Sequence, residues 1–278
     1  MAQSTPQKLS RFSRSAICKL PYNIKVGESY AGISEVKRYL KHYDYTDSES
    51  FTIDDKFDEE TQTALKKFQA WFNLDQTGLL DGPTKAALTQ TRCAHSRANP
   101  LAANTISKWN KKALTYAWGP LSKDVSEAVC KAAVLRAFKT WERTNVGLTF
   151  TEAATDTTPD LYIDWRDALD PDLLRLDAEG MVGGTLAHAD FPGSGSIIVR
   201  NGEPPLPLHF DDEEHAWVDG AFPNGYDIET VALHEIGHTL GLLHSNDPNA
   251  VMAPTVADNT TKRRLQRDDL VGIRRLYG

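Results

Sequence analysis

The residues from His234 to His244 read HEIGHTLGLLH and place three imidazoles and one carboxylate in a single short stretch. If residues 228–240 are helical, His234 and His238 lie one turn apart on the same face, so both imidazoles can reach one ion. Gly241 stands where the chain leaves this helix, since glycine allows the left-handed backbone conformation of a sharp turn. The turn brings His244 back as a third ligand. The spacing therefore predicts a helix, a glycine turn and a three-histidine metal site.

Glu235 follows the first of these histidines and completes a set of groups suited to hydrolysis. Three neutral imidazoles leave the fourth tetrahedral position of Zn²⁺ open for water, which is typical of a catalytic rather than a structural site. Zinc lowers the pKa of such a water towards neutrality. The Glu235 carboxylate can accept the water's proton and pass it to a leaving amine. These residues predict a zinc-dependent hydrolase of peptide bonds.

The residues after the third histidine narrow the kind of zinc site. Ser245 follows directly, and Met252 lies further on in the sequence AVMAP. The pattern H-E-x-x-H-x-x-G-x-x-H with a downstream methionine is the metzincin signature. With Ser245 in place, the chain resembles the matrixins, which are the matrix metalloproteinases. The resemblance implies a zinc metalloendopeptidase in which Met252 forms a hydrophobic floor, the Met-turn, under the metal.

The resemblance covers most of the chain from about Gly27 onward. It includes a strand bordering the substrate cleft at Leu186–Ala189 and a closing helix that ends at Gly278. The implied catalytic domain, residues 105–278, has the α+β metzincin fold, with a twisted, mostly parallel mixed sheet and three helices. Because the closing helix ends at Gly278, we expect no hemopexin domain.

Residues 27–91 predict a small all-α pro-domain of three helices. Apolar side chains recur at helical spacing in Ile33–Leu40 and in Ala64–Phe72. Pro83 marks the start of a third helix. These segments and the sequence TGLLD at Thr77–Asp81 resemble the peptidoglycan-binding-like module of matrixin propeptides. Its position ahead of a protease domain implies a pro-domain.

Residues 1–26 are basic and rich in serine, and they contain no acidic residue. No apolar run in them could form the core of a secretory signal. We expect a flexible tail or an incomplete start of a secreted precursor, with an organelle transit peptide as the alternative. The family resemblance implies secretion.

Residues 92–104 are predicted to form the switch and activation linker. Matrixin pro-domains end in P-R-C-G-x-P-D, whose cysteine caps the zinc, and this chain reads TRCAHSR around Cys93. The Arg92-Cys93 pair is kept, but the aspartate that pairs with the arginine is missing. A thiolate is a good zinc ligand, so Cys93 is expected to keep the enzyme latent. His95 is a competing donor. Cys130 is expected to pack inside a helix, and Cys18 receives no role.

Two accessory metal sites follow from the resemblance. His188 and His209 match two ligands of a structural zinc, and an aspartate such as Asp167, Asp170 or Asp172 would complete an altered site. Carboxylates are the oxygen ligands that Ca²⁺ prefers. Asp211 and Glu214 are placed like the calcium carboxylates of the family. The expected cofactors are thus a catalytic zinc, a second zinc and calcium.

Composition limits the partners. The net charge is −7 and no basic face stands out, so nucleic acid is not expected. No apolar run reaches membrane-spanning length. Protein or peptide substrates should pair in extended form with a strand edge near residues 184–188. The main side-chain pocket should lie between the helix around Leu233 and the segment after Met252. Nothing indicates an obligate oligomer, so a monomer is expected.

Two further expectations stay open. The prolines in residues 200–208 favour a surface loop rather than a paired strand. The altered accessory motifs also allow a different function, a glycan- or protein-binding module joined to an inactive protease domain. The intact histidines and Glu235 favour the enzyme.

Overall fold

The computed structural model describes residues 13–46, 48, 50–93, 107–166, 185–193 and 203–278. The buried apolar side chains form two cores, one between Ile17 and Leu88 and the other between Trp109 and Tyr277. None of the helices in the described residues has the length and apolar character needed to cross a membrane.

Four helices enclose the N-terminal core. They are α1 (Arg14–Lys19), α2 (Ile33–His42), α3 (Glu59–Trp71) and α4 (Gly82–Thr89). Ser13, Asp58 and Asp81 cap α1, α3 and α4 by accepting a hydrogen bond from a backbone amide three residues later. Each cap satisfies a donor that has no partner within the helix, so these short polar residues fix where the helices begin.

The first helix differs from the sequence-based expectation of a flexible tail and a three-helix module. Ile17, Leu20 and Ile24 are buried in the N-terminal core. The ammonium of Lys85 donates hydrogen bonds to the carbonyls of Cys18 and Leu20 at 2.9 and 2.6 Å, which satisfies the end of α1. The tail prediction is therefore wrong for residues 14–24. A helix of six residues is too short to produce a visible apolar period in a basic segment.

A buried glutamine fixes the loop between α3 and α4. The side-chain amide of Gln69 donates to Thr77, to the carbonyl of Leu79 and to Thr84. Its oxygen accepts from the backbone amide of Gly78 at 2.7 Å. The TGLLD sequence thus serves the packing of this module, because one side chain satisfies several loop groups.

A five-stranded sheet organises the C-terminal core. Its strands are β1 (Ala113–Trp118), β2 (Thr149–Glu152), β3 (Leu161–Arg166), β4 (Ala187–Ala189) and β5 (Leu206–Asp211), in the order β2-β1-β3-β5-β4. All neighbours are parallel except β4, which runs antiparallel to β5 at one edge. The prediction of a mostly parallel mixed sheet is confirmed.

Within the described residues, three helices belong to this core: α5 (Glu127–Glu142), α6 (Ile228–Thr239) and α7 (Arg267–Tyr277). A short parallel ribbon of β6 (Trp217–Val218) and β7 (Tyr226–Asp227) leads into α6. Every residue of α6 is buried. The indole of Trp141 on α5 donates to the carbonyl of Leu233 at 3.0 Å. This bond satisfies the indole and ties α5 to α6 in the core.

Strand β5 corrects the expectation of a surface loop over residues 200–208. Leu206, Pro207 and Leu208 are buried, and all three pair with β3. The backbone amide of Leu206 points towards β3 and donates to the carbonyl of Asp160. Successive backbone amides of a strand point in opposite directions, so an amide at position 207 would point away from β3. On that side the pairing with β4 ends at Leu208. Proline is tolerated because no ladder partner is lost.

Candidate metal centre

The N-cap and the glycine turn of α6 bring three histidines together. Asp227 caps the helix, and Gly241 leaves it with a φ of 96°, in the left-handed region that glycine adopts without strain. The Nε2 atom of His238 lies 3.1 Å from that of His234 and 3.2 Å from that of His244. Two nitrogens on one tetrahedral zinc are separated by about 3.3 Å, given Zn–N bonds of about 2.0 Å. The three imidazoles therefore fit one zinc ion.

Backbone carbonyls orient two of these rings. The Nδ1 atom of His234 is 2.7 Å from the carbonyl of Val251, and Nδ1 of His238 is 2.8 Å from that of Leu242. A carbonyl can only accept, so each Nδ1 carries the proton and each Nε2 lone pair faces the shared point. Neutral imidazoles with this tautomer are the form that ligates zinc.

Cys93 is the fourth donor at this point. Its sulfur and one nitrogen from each histidine all lie within 4.8 Å of one another, and all four residues are buried. The thiol also donates to Oε2 of Glu235 at 3.6 Å. Burial raises the pKa of Glu235 to about 8, and the bond from Cys93 lowers it in part. A carboxylate with a pKa near neutrality is suited to accept and return a proton.

Met252 packs against α6 at the position of Gly237. A Cβ atom on Gly237 would be 2.3 Å from the Met252 sulfur and 3.2 Å from the ring of Trp141. Glycine at this helix position therefore permits the close contact. The backbone amides of Val251 and Met252 both donate to the buried carboxylate of Asp269 at 3.0 Å. The start of α7 thus holds the methionine turn in place.

The neighbouring acid of α7 anchors the third ligand. The hydroxyl of Ser245 donates to the carboxylate of Asp268. The amide of Ser245 donates to the carbonyl of Met252 at 2.8 Å. Residues next to His244 are therefore bound both to the methionine turn and to the closing helix.

The segment Thr91–Cys93 lies in an extended conformation between two parts of the C-terminal core. Arg92 forms a parallel bridge with Thr185 and an antiparallel bridge with Thr255. The amide of Leu186 donates to the Arg92 carbonyl at 3.1 Å, and the amide of Cys93 donates to Pro254 at 3.2 Å. The segment Thr91–Cys93 thus lies beside β4 and pairs with the backbone on both sides of it.

The side chain of Arg92 is buried among tyrosines of α2. Its guanidinium carbon lies 3.5 Å from the ring centroid of Tyr43, and one nitrogen donates to the hydroxyl of Tyr39 at 3.2 Å. The aspartate that pairs with this arginine in the family motif has no counterpart close after Cys93, since Asp124 is the first acidic residue that follows it in the sequence. The contacts of both tyrosines with Arg92 could not be predicted from the sequence, because aromatic residues in a helical stripe indicate only core packing.

The second histidine pair lies across neighbouring strands. His188 of β4 stands opposite His209 of β5, and Asp164 of β3 stands opposite the same His209. The rings of the histidines are 4.8 Å apart, and Nε2 of His209 is 3.2 Å from Oδ1 of Asp164. All three are buried. The sequence analysis missed Asp164, since only the strand register brings it there. The expected partners Asp167, Asp170 and Asp172 lie outside the described residues.

Asp211, Glu214 and His215 form a second group of oxygen and nitrogen donors, all within 4.8 Å of one another. Oδ1 of Asp211 accepts from the amides of Glu213 and Glu214 at 2.8 and 3.2 Å. Among the described residues, its buried Oδ2 has no hydrogen-bond partner. Burial raises the pKa of Asp211 to about 7. A cation beside this oxygen would compensate the buried charge, so the donor set fits a metal ion.

The remaining cysteines and His95 lie apart from the centre or outside what the structure describes. Cys130 is buried in α5, where burial raises the pKa of its thiol to about 11. The prediction of a packing role for Cys130 is therefore confirmed. Cys18 is exposed and free. His95 lies outside the described residues.

Comparison with known proteins gives two family matches. Residues 108–278 match the family model for Matrixin, and residues 29–88 match the model for Putative peptidoglycan binding domain. The chain is 34% identical to Metalloendoproteinase 1-MMP of Arabidopsis thaliana, over 92% of this chain and 71% of that protein. It is 31% identical to Matrilysin of Homo sapiens, over 95% of this chain and 94% of that protein. Metalloendoproteinase 1 of Glycine max is also 31% identical, over 91% and 84% of the two chains.

Proposed function

Since the chain belongs to the matrixin family and is a zinc metalloendopeptidase, we propose that His234, His238 and His244 hold its catalytic zinc. The observation that carries this assignment is the convergence of the three Nε2 atoms at 3.1 and 3.2 Å. When bound there, zinc polarises the scissile carbonyl and makes water more acidic.

Glu235 is the general base and acid in this proposal. Its Oε2 accepts the proton of the attacking water and later gives it to the amine of the leaving fragment. Burial raises the pKa of this carboxyl above its usual range, which makes it a stronger proton acceptor than an exposed glutamate. The carbonyls of Val251 and Leu242 keep the Nδ1 protons of the first two histidines in place, so the Nε2 atoms stay directed at the metal.

Substrate proteins bind in extended form beside β4. The pro-segment provides the support, because the amide of Leu186 and the carbonyl of Pro254 already pair with the backbone of residues 92 and 93. A substrate backbone can take over these two groups once the pro-segment leaves. Backbone pairing accepts many sequences and leaves selectivity to side-chain pockets.

Latency in this proposal depends on Cys93 and on the aromatic contacts of Arg92. The thiol sulfur stands where a fourth zinc ligand is needed and also contacts Glu235. Arg92 is the preceding residue, and its cation packs on Tyr43 rather than on the aspartate of the usual family motif. The tyrosines thereby hold the switch against the catalytic centre.

Two further metals complete the proposal. His188, His209 and Asp164 would contribute to a structural zinc, and the carboxylates of Asp211 and Glu214 would contribute to a calcium site. Elemental analysis of the purified chain is the test. One zinc per chain without calcium would remove both accessory sites, whereas loss of the second zinc in His188→Ala with catalysis of a short peptide kept would support the first.

We also place the enzyme outside the cell as a monomer, on the basis of its family. Appearance of the processed chain in the culture medium and a single-chain mass in light scattering are the expected results. A processed chain retained inside the cell would contradict the first of these.

The test of the catalytic assignment compares the chain with its Glu235→Gln variant. Both carry Cys93→Ala, so that latency does not mask the result. We expect hydrolysis of a quenched peptide to fall by about 10²- to 10⁴-fold in Glu235→Gln. Zinc content should stay unchanged, since Glu235 is not a ligand. Equal rates in the two proteins would instead favour a binding module with an inactive protease domain.

A further inference from the structure

One pocket is lined by both the Glu235 carboxylate region and Lys262. It has about 320 Å³ of empty volume, part of it open to solvent, and lies between α6 and the segment after Met252. Its lining includes the apolar side chains of Leu186, Val231 and Val251, together with His234 and Glu235. Lys262 contributes the one cationic side chain among the described lining residues, apart from the histidine.

Hydrogen bonds fix Lys262 at this wall. Its backbone amide donates to Oγ1 of Thr230 at 2.8 Å, and the same hydroxyl donates to the helix-capping Asp227 at 2.6 Å. The ammonium donates to the carbonyl of Pro248 at 2.7 Å. One carbonyl uses one of the three ammonium donors, so the others are available to a ligand or to water.

The charge of Lys262 has no close acidic partner. Among the described residues, no carboxylate oxygen lies within 4.0 Å of its nitrogen, whereas the next residue, Arg263, pairs with Asp219 and Asp227. Burial lowers the pKa of Lys262, and the more distant Asp269 and Asp247 offset this only in part. A partly desolvated cation of this kind is stabilised by an anionic ligand that reaches it.

We propose that this pocket makes the enzyme select an acidic side chain directly after the cleaved bond, with Lys262 as the residue that determines the selection. The inference rests on the proposed role of Glu235. Because Glu235 protonates the leaving amine, the residue that carries this amine lies beside it, and its side chain faces the pocket. Glutamate matches the chemistry of this lining, since its methylene groups suit the apolar side chains and its carboxylate suits the ammonium.

The experiment uses the full chain with Cys93→Ala and four quenched peptides that differ only at the residue after the cleaved bond. These residues are glutamate, glutamine, leucine and lysine, and mass spectrometry of the products confirms the cleaved bond. We expect kcat/KM for glutamate to exceed that for glutamine by about tenfold, as one charge-assisted hydrogen bond supplies this difference. The lysine peptide should be the poorest substrate.

Variants then assign the preference to one residue. Lys262→Met should remove the advantage of glutamate and favour leucine, while Lys262→Arg should keep it. Arg264→Met is the matched control, because it removes the same charge from an exposed position two residues away. Cleavage with glutamine or leucine equal to glutamate, or an unchanged ratio in Lys262→Met, would overturn the inference. Failure to cleave any of the peptides would count against the proposed function instead.

Discussion

The sulfur of Cys93 lies 3.6 Å from Oε2 of Glu235, so the pro-segment contacts the carboxylate assigned to proton transfer as well as the three histidines. One thiol can therefore block a ligand position and occupy the base at the same time. Removal of this thiol should affect both functions of the site.

The first prediction concerns this thiol. In the uncleaved chain, Cys93→Ala should raise peptide hydrolysis at least about tenfold, because a thiolate–zinc bond is lost with the side chain. Cys18→Ala is the matched control, since that cysteine is exposed and remote from the centre. Rates are measured before and after limited proteolysis of residues 94–106. If the uncleaved Cys93→Ala protein has the same rate as the parent, Cys93 is not the switch.

The second prediction concerns the tyrosine under Arg92. Tyr43→Leu should raise the basal activity of the uncleaved chain, because a desolvated cation–π contact contributes about 2 kcal/mol, or about 30-fold in the equilibrium between closed and open states. The measurement is peptide hydrolysis with thermal unfolding recorded in parallel. Tyr30→Leu, at a partly exposed position of the same region, should have no effect.

A double variant separates the switch from general stability. In a chain that already carries Cys93→Ala, Tyr43→Leu should raise activity by a smaller factor than in the parent, because the contact with the zinc ligands is already gone and only the backbone of residues 92 and 93 still blocks the cleft. An equal increase in both backgrounds would show that Tyr43 acts on the catalytic centre by another route.

Local spacing explains why the catalytic centre could be predicted from the sequence. His234 and His238 lie within one helix, and Gly241, His244 and Met252 follow it closely in the chain, so helix geometry and the turns directly after the helix bring them together. Asp164, Tyr43 and Lys262 are different, because each reaches its site through strand register or domain packing. Their neighbours in the chain contain no sign of those contacts.

The pro-domain shows a second limit. Its longer helices have an apolar period that the sequence reveals. Helix α1 has only six residues in a basic segment. The carbonyls at its end accept hydrogen bonds from Lys85, which is distant in the sequence. Pro207 was also misleading, because proline excludes a strand only where a partner strand needs its N–H.

The third prediction tests the contact between the helix and the methionine turn. Gly237→Ala should destabilise the protein by about 1–3 kcal/mol, since the new methyl group overlaps the sulfur of Met252 in a packed core. Denaturant unfolding of the zinc-loaded protein measures the change. In a Met252→Ala background the same substitution should cost much less, because the overlapping atoms are gone. Equal costs in both backgrounds would show that Met252 is not the neighbour that requires glycine.

The last prediction concerns the acid that caps α6. Burial alone raises the pKa of Asp227, but hydrogen bonds from Arg263, Thr230 and the amide of Gly220 outweigh it and lower the pKa below the usual 3.8. Since the folded pKa is lower than the unfolded one, this carboxylate stabilises the fold fully above about pH 4 and progressively less as the pH falls through the folded value. Asp227→Asn should therefore reduce the free energy of unfolding by about 2–3 kcal/mol at pH 7, less than the cost of breaking a fully buried charged pair, because Arg263 is partly exposed.

The pH dependence of that difference identifies its cause. Urea unfolding of the parent and Asp227→Asn at pH 7, 5 and 3 should give similar gaps at the two higher values and a smaller gap at pH 3, because the unfolded parent binds a proton below its pKa of about 3.9 and part of the stabilisation is lost. Taking the difference at each pH cancels effects that both proteins share, including loss of metal from histidines. Glu127→Gln, which breaks an exposed pair with Lys131, should change stability by less than about 0.5 kcal/mol throughout. A gap that stays constant down to pH 3 would mean that Asp227 stabilises α6 through the shape of its cap rather than through its charge.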